Sequence, residues 1–427
     1  MLRHLLHASF MLGVITPAFA ADAVTDQRLR EFEQRLERIE SRGAAAPSTP
    51  AAAPTDKPHQ ASNAFNPAIS LILDGKFTNF SRDPATFRVP GFALGGESGE
   101  LTEGLSLGES ELSVSGNIDD KFYGSFTAAL TPENAVEIEE AYIETLALGA
   151  GFTARAGRML SHIGYLNSVH AHAWDFADQP LPYRAMLGNN FGDDGVQLRW
   201  VAPTDLFVEL GAELFRGASF PAGGAQSSGK GAHTAFARLG GDVGTSHAWR
   251  VGVSHLNAKA LDRETGEDAD RFSGDSKTSI VDFVWKWAPN GNAKERSLKF
   301  QAEYFDRDES GEFTPDPAGG GTPLAYTGKQ KGWYAQTIYQ FMPRWRTGVR
   351  YAEVEADNVD ATALANTALD NEGHKPKATS VMVDFSNSEF SRLRLQYTRD
   401  DSRPDGKDNQ WYLQYVMSLG PHGAHAF

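Results

Sequence analysis

The stretch Val281-Asp282-Phe283-Val284-Trp285-Lys286-Trp287 decides the fold, because its apolar and charged residues alternate with a period close to two. A second stretch, Arg392-Leu393-Arg394-Leu395-Gln396-Tyr397, carries arginine and glutamine on one face and leucine and tyrosine on the other. Since successive side chains of a strand point to opposite faces, each stretch predicts a strand with one apolar and one charged face.

Segments of this kind, about ten residues long, recur from Pro67 onward, and that length suits a tilted strand crossing a membrane. The predicted strands are 67–78, 109–118, 121–130, 136–147, 151–158, 194–202, 205–214, 231–241, 247–257, 277–287, 297–306, 329–341, 345–354, 377–386, 391–400 and 408–419. Their connections largely alternate between long and short. An even strand count with loops sorted in this way predicts an all-β fold, a 16-stranded antiparallel transmembrane β-barrel whose termini lie on the short-turn side.

Composition excludes several other classes of protein. The 427 residues include no cysteine, which excludes a disulfide scaffold, a thiolate metal site and a cysteine nucleophile. No run of about 18 apolar residues occurs, so membrane-spanning helices are not expected. The formal net charge of -15 disfavours nucleic acid as a partner. The motifs G-x-S-x-G, H-E-x-x-H and the P-loop are missing, so we expect neither an enzyme nor a cofactor.

The residues before 67 divide into three segments. Residues 1–20 predict a signal peptide, because an apolar stretch ends in the cleavage pattern Ala18-Phe19-Ala20. Residues 21–43 predict a helical oligomerisation arm, since their apolar residues follow heptad spacing: Leu29, Phe32, Leu36 and Ile39. The alternative is a solvated helix or a frayed terminus, because the seam is short for a coiled coil. Residues 44–66, rich in Ala and Pro, predict a linker to the barrel domain at 67–427.

Three short stretches resemble the phosphate-selective porin O/P family: Glu140-Ala141-Tyr142-Ile143-Glu144, Arg155-Ala156-Gly157-Arg158-Met159 and Gly164-Tyr165-Leu166-Asn167. The resemblance covers roughly residues 67 to 427. It implies a 16-stranded barrel of the bacterial outer membrane, usually a homotrimer, which passes small anions by diffusion. The expected partners are then outer-membrane lipid and lipopolysaccharide, further copies of the chain, small-ion solutes and the barrel-insertion machinery. Phe427 is similar to the terminal aromatic residue which that machinery recognises, although residues 419–426 depart from strand alternation.

If apolar residues face lipid, residues of the opposite parity face the lumen. A Lys or Arg facing lipid at mid-membrane costs about 2–4 kcal/mol, which favours the inward placement of these charges. The predicted pore-lining and selectivity residues are Arg155, Arg199, Arg250, Lys286, Lys299, Arg346, Arg350, Arg392, Arg394, Asp282, Glu303 and Asp384. An arginine-rich wall favours anions. The alternative is a wall of solvated charges that pair with their neighbours.

The connection at 159–193 is the longest, and a loop of this kind can fold inward and narrow a large barrel. The predicted constriction-loop residues are His162, Tyr165, Asn167, His170, His172, Trp174, Asp175, Asp178 and Arg184. His170, His172 and Asp175 also offer two imidazoles and a carboxylate, which is a weak candidate site for Zn²⁺. The sequence therefore predicts an outer-membrane porin for small hydrophilic solutes, with a preference for anions such as phosphate. The alternative is a facilitator of divalent metal uptake, zinc especially.

Overall fold

The computed structural model describes residues 67–95, 98, 102–131, 135–224, 229, 231–265, 270–358 and 364–420. The predicted signal peptide, helical arm, linker and terminal Phe427 lie outside the described residues, so these remain predictions. Among the helices that the structure describes, none is long and apolar enough to cross a membrane.

The described residues form a closed antiparallel β-barrel of sixteen strands. In chain order these are β1 (Ala68–Phe80), β2 (Gly104–Leu107 and Ser110–Asn117), β3 (Phe122–Leu130), β4 (Val136–Thr145), β5 (Phe152–Leu160), β6 (Gly192–Val201), β7 (Phe207–Phe215), β8 (Ala232–Val243), β9 (His247–Thr265), β10 (Asp270–Trp287), β11 (Ser297–Thr314), β12 (Leu324–Met342), β13 (Trp345–Asn358), β14 (Lys377–Ser388), β15 (Ser391–Asp401) and β16 (Asp408–Leu419). Both segments of β2 pair with β1, so they form one interrupted strand. β1 also pairs with β16, which closes the barrel.

Each of the sixteen predicted segments overlaps one of these strands, and the predicted barrel is therefore confirmed. The predicted strand ends at residues 257 and 306 and the predicted strand starts at 277 and 329 are wrong, because β9, β10, β11 and β12 extend beyond them. The extensions are rich in polar residues: Lys277, for example, lies opposite Asp308. Backbone pairing continues in these extensions although the alternation of apolar residues has ended. The strand bounds predicted from that alternation are therefore too short.

The barrel has the reverse polarity of a water-soluble protein. On β15, Leu393 and Leu395 are each 44% exposed, whereas Arg394 and Gln396 between and beside them are fully buried. The same inversion holds on β16, where Trp411 is exposed and Gln410 is enclosed. Apolar side chains thus cover the outside and polar ones fill the interior, as in barrels whose outer surface contacts lipid.

Paired aromatic rings border the apolar outer surface. Trp345, the first residue of β13, packs on Phe385 with ring centroids 4.8 Å apart. Further along β13, Glu353 lies opposite Trp333 of β12, whose ring packs on Tyr351 with ring centroids 5.2 Å apart. The eight-residue step from 345 to 353 corresponds to roughly 27 Å along a strand. At the usual tilt of about 35–45° this step spans about 20 Å across the membrane, somewhat less than the height of about 25 Å of a lipid-facing band between aromatic girdles.

Candidate functional site

The connection between β5 and β6 folds into the barrel, and we call residues 161–191 the lumen loop. Ile163, Phe176 and Phe191 are each at most 1% exposed, although they lie in a connection. The loop contacts side chains from strands all round the wall: Glu111, Glu213, Arg238, Ser254, Glu303, Arg350 and Gln396. These contacts place the loop across the lumen, which is where a constriction loop would lie.

Local sequence signals shape the lumen loop. Its short helix α1 (Leu181–Leu187) begins after Pro180 and ends at Gly188, whose φ of 64° is the left-handed conformation that favours glycine. The Asn167 side chain donates hydrogen bonds of 2.7 Å to the carbonyls of Ser161 and Phe191. It also accepts one from the Phe191 amide at 2.7 Å. Asn167 therefore ties the two ends of the loop together.

Glu303 anchors the middle of the lumen loop to β11. Its carboxylate accepts hydrogen bonds from the backbone amides of Tyr165 (2.9 Å) and Leu166 (3.2 Å) and from the Tyr183 hydroxyl (2.9 Å). A Cβ on Gly164 would lie 2.5 Å from this carboxylate, so the close approach requires glycine. Glu303 was predicted to line the pore, but at 2% exposure it lies beneath the loop instead.

Two aspartates hold the next part of the loop to the opposite wall. Asp175 pairs with Lys299 and, at 3.2 Å, with Arg346. Burial alone would raise the pKa of Asp175, but Lys299 and Arg346 lower it below its usual value. Asp178 accepts hydrogen bonds from Arg350 at 2.7 Å and from Gln396 at 2.6 Å. These two loop carboxylates neutralise part of the positive charge of Lys299, Arg346 and Arg350 on the barrel wall.

Two of the predicted selectivity arginines are buried by these contacts. Arg350 is 3% exposed and Arg394 is fully buried, with the latter donating a hydrogen bond to the Trp174 carbonyl at 2.7 Å. Arg392, by contrast, donates to the His172 carbonyl at 2.6 Å and remains partly exposed. Arg350 and Arg394 therefore position the loop, and Arg394 also contributes its positive charge to the lumen from beneath the loop. Alternation along the strands alone could not distinguish these buried arginines from arginines that line the pore.

An ion-pair ladder lines the wall from β4 to β8. Glu144 lies 2.8 Å from Arg155 and 2.9 Å from Arg199, and Arg199 lies 3.5 Å from Glu209. Glu209 pairs in turn with Arg238 at 2.9 Å. Arg238 was not among the predicted residues, although the alternation along 231–241 placed it on the luminal side.

Tyr165 and His162 of the lumen loop lie close to arginines of the barrel wall. Arg250, which pairs with Asp282 at 3.2 Å, lies over the Tyr165 ring, 4.7 Å from its centroid. The pKa of His162 is well below its usual value, because burial and then the nearby Arg238 disfavour the charged imidazole. The predicted loop residue Arg184 lies elsewhere: it donates to the Ser98 carbonyl at 3.0 Å.

A second group of luminal charges, which we call the basic cluster, lies near the short turns of β10 to β15. Arg346 donates hydrogen bonds of 3.0 and 2.5 Å to Asp384, and Lys286 lies opposite Lys299 in the strand register. Lys299 and Arg346 keep 22% and 24% of their side chains exposed. The members are Lys286, Lys299, Arg346, Arg392 and Arg394, with the carboxylates of Asp175 and Asp384 among them. Five cations and two carboxylates leave an excess of three positive charges.

The two loop histidines face carboxylates of β2 and β4. His170 Nδ1 lies 3.1 Å from Glu139 and 3.4 Å from Glu111, and its Nε2 lies 3.2 Å from Glu140. His172 Nδ1 lies 2.6 Å from Glu111. Burial alone would lower the pKa of His170, but its hydrogen bonds with the three carboxylates raise it well above the usual value.

The predicted metal set of His170, His172 and Asp175 does not assemble in this arrangement, because Asp175 is engaged by Lys299 and Arg346. Among the described residues, the ligand atoms that lie within 4.8 Å of one another belong to Glu111, Glu139 and His170. The sequence alone did not indicate Glu111 and Glu139 as ligands, because no motif or regular spacing relates these residues to the loop histidines.

Comparisons with known proteins agree with this fold. No family model matches the chain. A protein of Aquifex aeolicus (strain VF5), described as an uncharacterized protein, is 30% identical over 405 residues, which are 86% of this chain and 81% of that protein.

Three solved outer-membrane barrels are similar in structure. A loop-deletion mutant of OmpT, an outer membrane protein of Vibrio cholerae, has a TM-score of 0.53 at 12% identity over 83% of this chain and 99% of its own. An anion-selective porin from Comamonas acidovorans has a TM-score of 0.51 at 10% identity, with coverage of 83% and 99%. The outer membrane channel DcaP of Acinetobacter baumannii has a TM-score of 0.50 at 13% identity, with coverage of 83% and 97%. At such identities the likeness shows a porin-like barrel fold, and membership of the O/P family stays a prediction.

Proposed function

We propose that this chain, which belongs to the same family as the uncharacterized protein of Aquifex aeolicus, is an outer-membrane porin for the passive diffusion of small hydrophilic solutes. The apolar exterior and enclosed polar wall support residence in a membrane. The lumen loop supports a sieving channel, because it narrows the interior by folding across it. We propose a preference for anions such as phosphate.

The basic cluster is the observation that carries the anion preference. Its excess of three positive charges lies on the luminal wall close to the short turns, where Lys299 and Arg346 remain partly exposed. Guanidinium and ammonium groups bind phosphate oxygens through charge-assisted hydrogen bonds. The ladder from Arg155 to Arg238 adds three cations against two carboxylates further round the wall. Both groups would raise the local concentration of anions.

The remaining features of the proposal follow from the same fold. We propose that the protein acts as a homotrimer, in contact with outer-membrane lipid and lipopolysaccharide, with the helical arm at 21–43 in the periplasm. Insertion would use the barrel-insertion machinery. We propose a channel without enzymatic activity.

Single-channel recording tests the proposal. The purified protein in planar bilayers under a KCl gradient should show ohmic steps with a reversal potential that favours chloride, and added phosphate should reduce the chloride current. The double variant Lys286→Gln plus Arg392→Gln removes two positive charges. At about 8 Å in water each charge stabilises an anion and destabilises a cation by roughly 0.5 kcal/mol. Removing two charges therefore changes the difference between anion and cation by about 2 kcal/mol, and the anion-to-cation permeability ratio should fall about 30-fold.

The control variant is Lys331→Gln, which removes a cation from the exposed face of β12 opposite Glu355. It should leave the reversal potential unchanged. Absence of conductance would refute the porin. Conductance with cation preference, or a double variant that behaves like the wild type, would refute the role of the basic cluster.

A further inference from the structure

We propose that His170, Glu111 and Glu139, supplemented by His172, bind a divalent transition-metal ion such as Zn²⁺, which fixes the lumen loop to the barrel wall. Glu140 contacts the other ring nitrogen of His170 and orients the imidazole. This site differs from the predicted set, because Glu111 and Glu139 take the place of Asp175. Its role is structural, and its occupancy does not depend on whether the lumen prefers anions.

The distances between the ligand atoms suit an ion. Ligand atoms that surround Zn²⁺ tetrahedrally at about 2.0–2.2 Å lie roughly 3.4 Å from one another. His170 Nδ1 lies 3.1 Å from Glu139 Oε2 and 3.4 Å from Glu111 Oε2. All three atoms lie within 4.8 Å of one another. Small side-chain shifts would therefore bring them onto a common ion.

A β-bulge directs an additional carboxylate into this site. Consecutive residues of a regular strand point to opposite faces, yet Glu139 and Glu140 both contact His170. The pairing of β3 with β4 explains this, because Thr127 lies opposite Glu140 while Ala128 lies opposite Ile138. Glu139 is the extra residue of the bulge, and bulges often re-aim side chains at functional sites.

The chemistry of the donors favours a transition metal. Imidazole nitrogen combined with carboxylate oxygen suits Zn²⁺ and similar ions, whereas Mg²⁺ prefers oxygen ligands and retains its water. His170 and His172 also stack, with ring centroids 5.9 Å apart, and both rings contact the Glu111 carboxylate. Among the described residues, the basic side chains within 4.0 Å of Glu111, Glu139 and Glu140 are the two imidazoles, so no Lys or Arg occupies the place of the ion.

The site is open to water on one side and joins three separate parts of the chain. Glu139, Glu140 and His170 keep 18%, 12% and 19% of their side chains exposed, whereas Glu111 is at 1%. Glu111 belongs to β2, Glu139 to β4 and His170 to the lumen loop. An ion bound here would cross-link the loop to two strands, and it could reach the site from the side that is open to water.

Isothermal titration with ZnCl₂ tests the site on the full-length mature protein in detergent, purified without a histidine tag. We expect saturable binding that His170→Asn and Glu139→Gln each weaken at least about tenfold. Zinc should also slow the cleavage of the Arg184–Ala185 bond by trypsin in the wild type but not in Glu139→Gln. MgCl₂ should have neither effect.

His374→Asn is the matched control, because this loop histidine lies outside the cluster and contacts the Asp401 carbonyl instead. It should bind zinc as the wild type does. Folding is checked by the heat-dependent mobility of the barrel in gels, and Glu139→Gln keeps the side-chain size should His170→Asn fail to fold. The proposal is overturned if the wild type shows no saturable zinc binding, or if folded Glu139→Gln binds zinc as tightly as the wild type.

Discussion

Replacing Asp178 by Ala should release part of the lumen loop while leaving the barrel intact. The Asp178 carboxylate accepts hydrogen bonds from Arg350 and Gln396, and the Arg350 side chain is only 4% exposed. Removing one partner of a buried ion pair costs about 3–5 kcal/mol, because the other charge stays buried. Arg350 retains a 2.6 Å hydrogen bond to the backbone carbonyl of residue 178, and the Asp178 side chain is 14% exposed. A loss of about 2–3 kcal/mol is therefore the appropriate expectation.

This loss has a direct readout at Arg184, which is 4% exposed and inaccessible to trypsin while the loop is packed. If cleavage follows loop opening, a change of about 2–3 kcal/mol accelerates it roughly 30- to 150-fold. Mass spectrometry of the Arg184–Ala185 cut measures the rate, and bilayer recording should show a larger, noisier conductance.

The control for Asp178→Ala is Glu372→Ala, which breaks the exposed pair of Glu372 with Arg88 between two outer loops. Exposed pairs contribute only about 0–1 kcal/mol, so the rate should change less than about fivefold. Cleavage of Asp178→Ala at the wild-type rate, with unchanged conductance, would refute the assignment of the loop as a constriction held by ion pairs.

Two further predictions concern pH and the outer surface. The pKa of His162 is depressed in the folded protein, so the folded state keeps this imidazole neutral while the unfolded state takes up a proton below a pKa of about 6.5. The folded protein is therefore at its full stability above this pH and loses stability as the pH falls below it. Between pH 6.5 and 5.0 this loss is at most about 2 kcal/mol. The free energy of unfolding of His162→Asn, measured with denaturant, should therefore change less with pH than that of the wild type. An equal pH dependence of the two proteins would contradict the burial of a neutral imidazole. Leu395→Arg places a charge on the apolar exterior and should cost about 2–4 kcal/mol in lipid, which reduces the folded fraction in vesicles. The control Lys331→Gln, on the exposed face of β12, should fold normally. Normal folding of Leu395→Arg would argue against lipid contact at residue 395.

The barrel could be predicted because its signal is local. Alternation such as that of Val281 to Trp287 marks a strand and also separates its two faces, since side-chain direction has a period of two. Arg394 and Asp384, which the alternation predicts to face inward, are enclosed in the structure. The number of strands could be predicted by counting the repeated alternating segments. The alternation of long and short connections also predicts that both termini lie on the short-turn side. Only where polar strand extensions lack apolar alternation, as beyond residue 257, did the prediction fail.

The candidate site required the tertiary structure, because its contacts join residues far apart in the chain. Parity placed Arg346 and Arg350 alike on the inner wall, yet only the folded loop buries Arg350 against Asp178 while Arg346 stays partly exposed. Likewise, no spacing relates His170 to Glu111, and the bulge that turns Glu139 inward depends on how β3 pairs with β4. A strand's faces are set by its own residues, whereas the partner of a luminal charge is set by where a distant loop comes to lie.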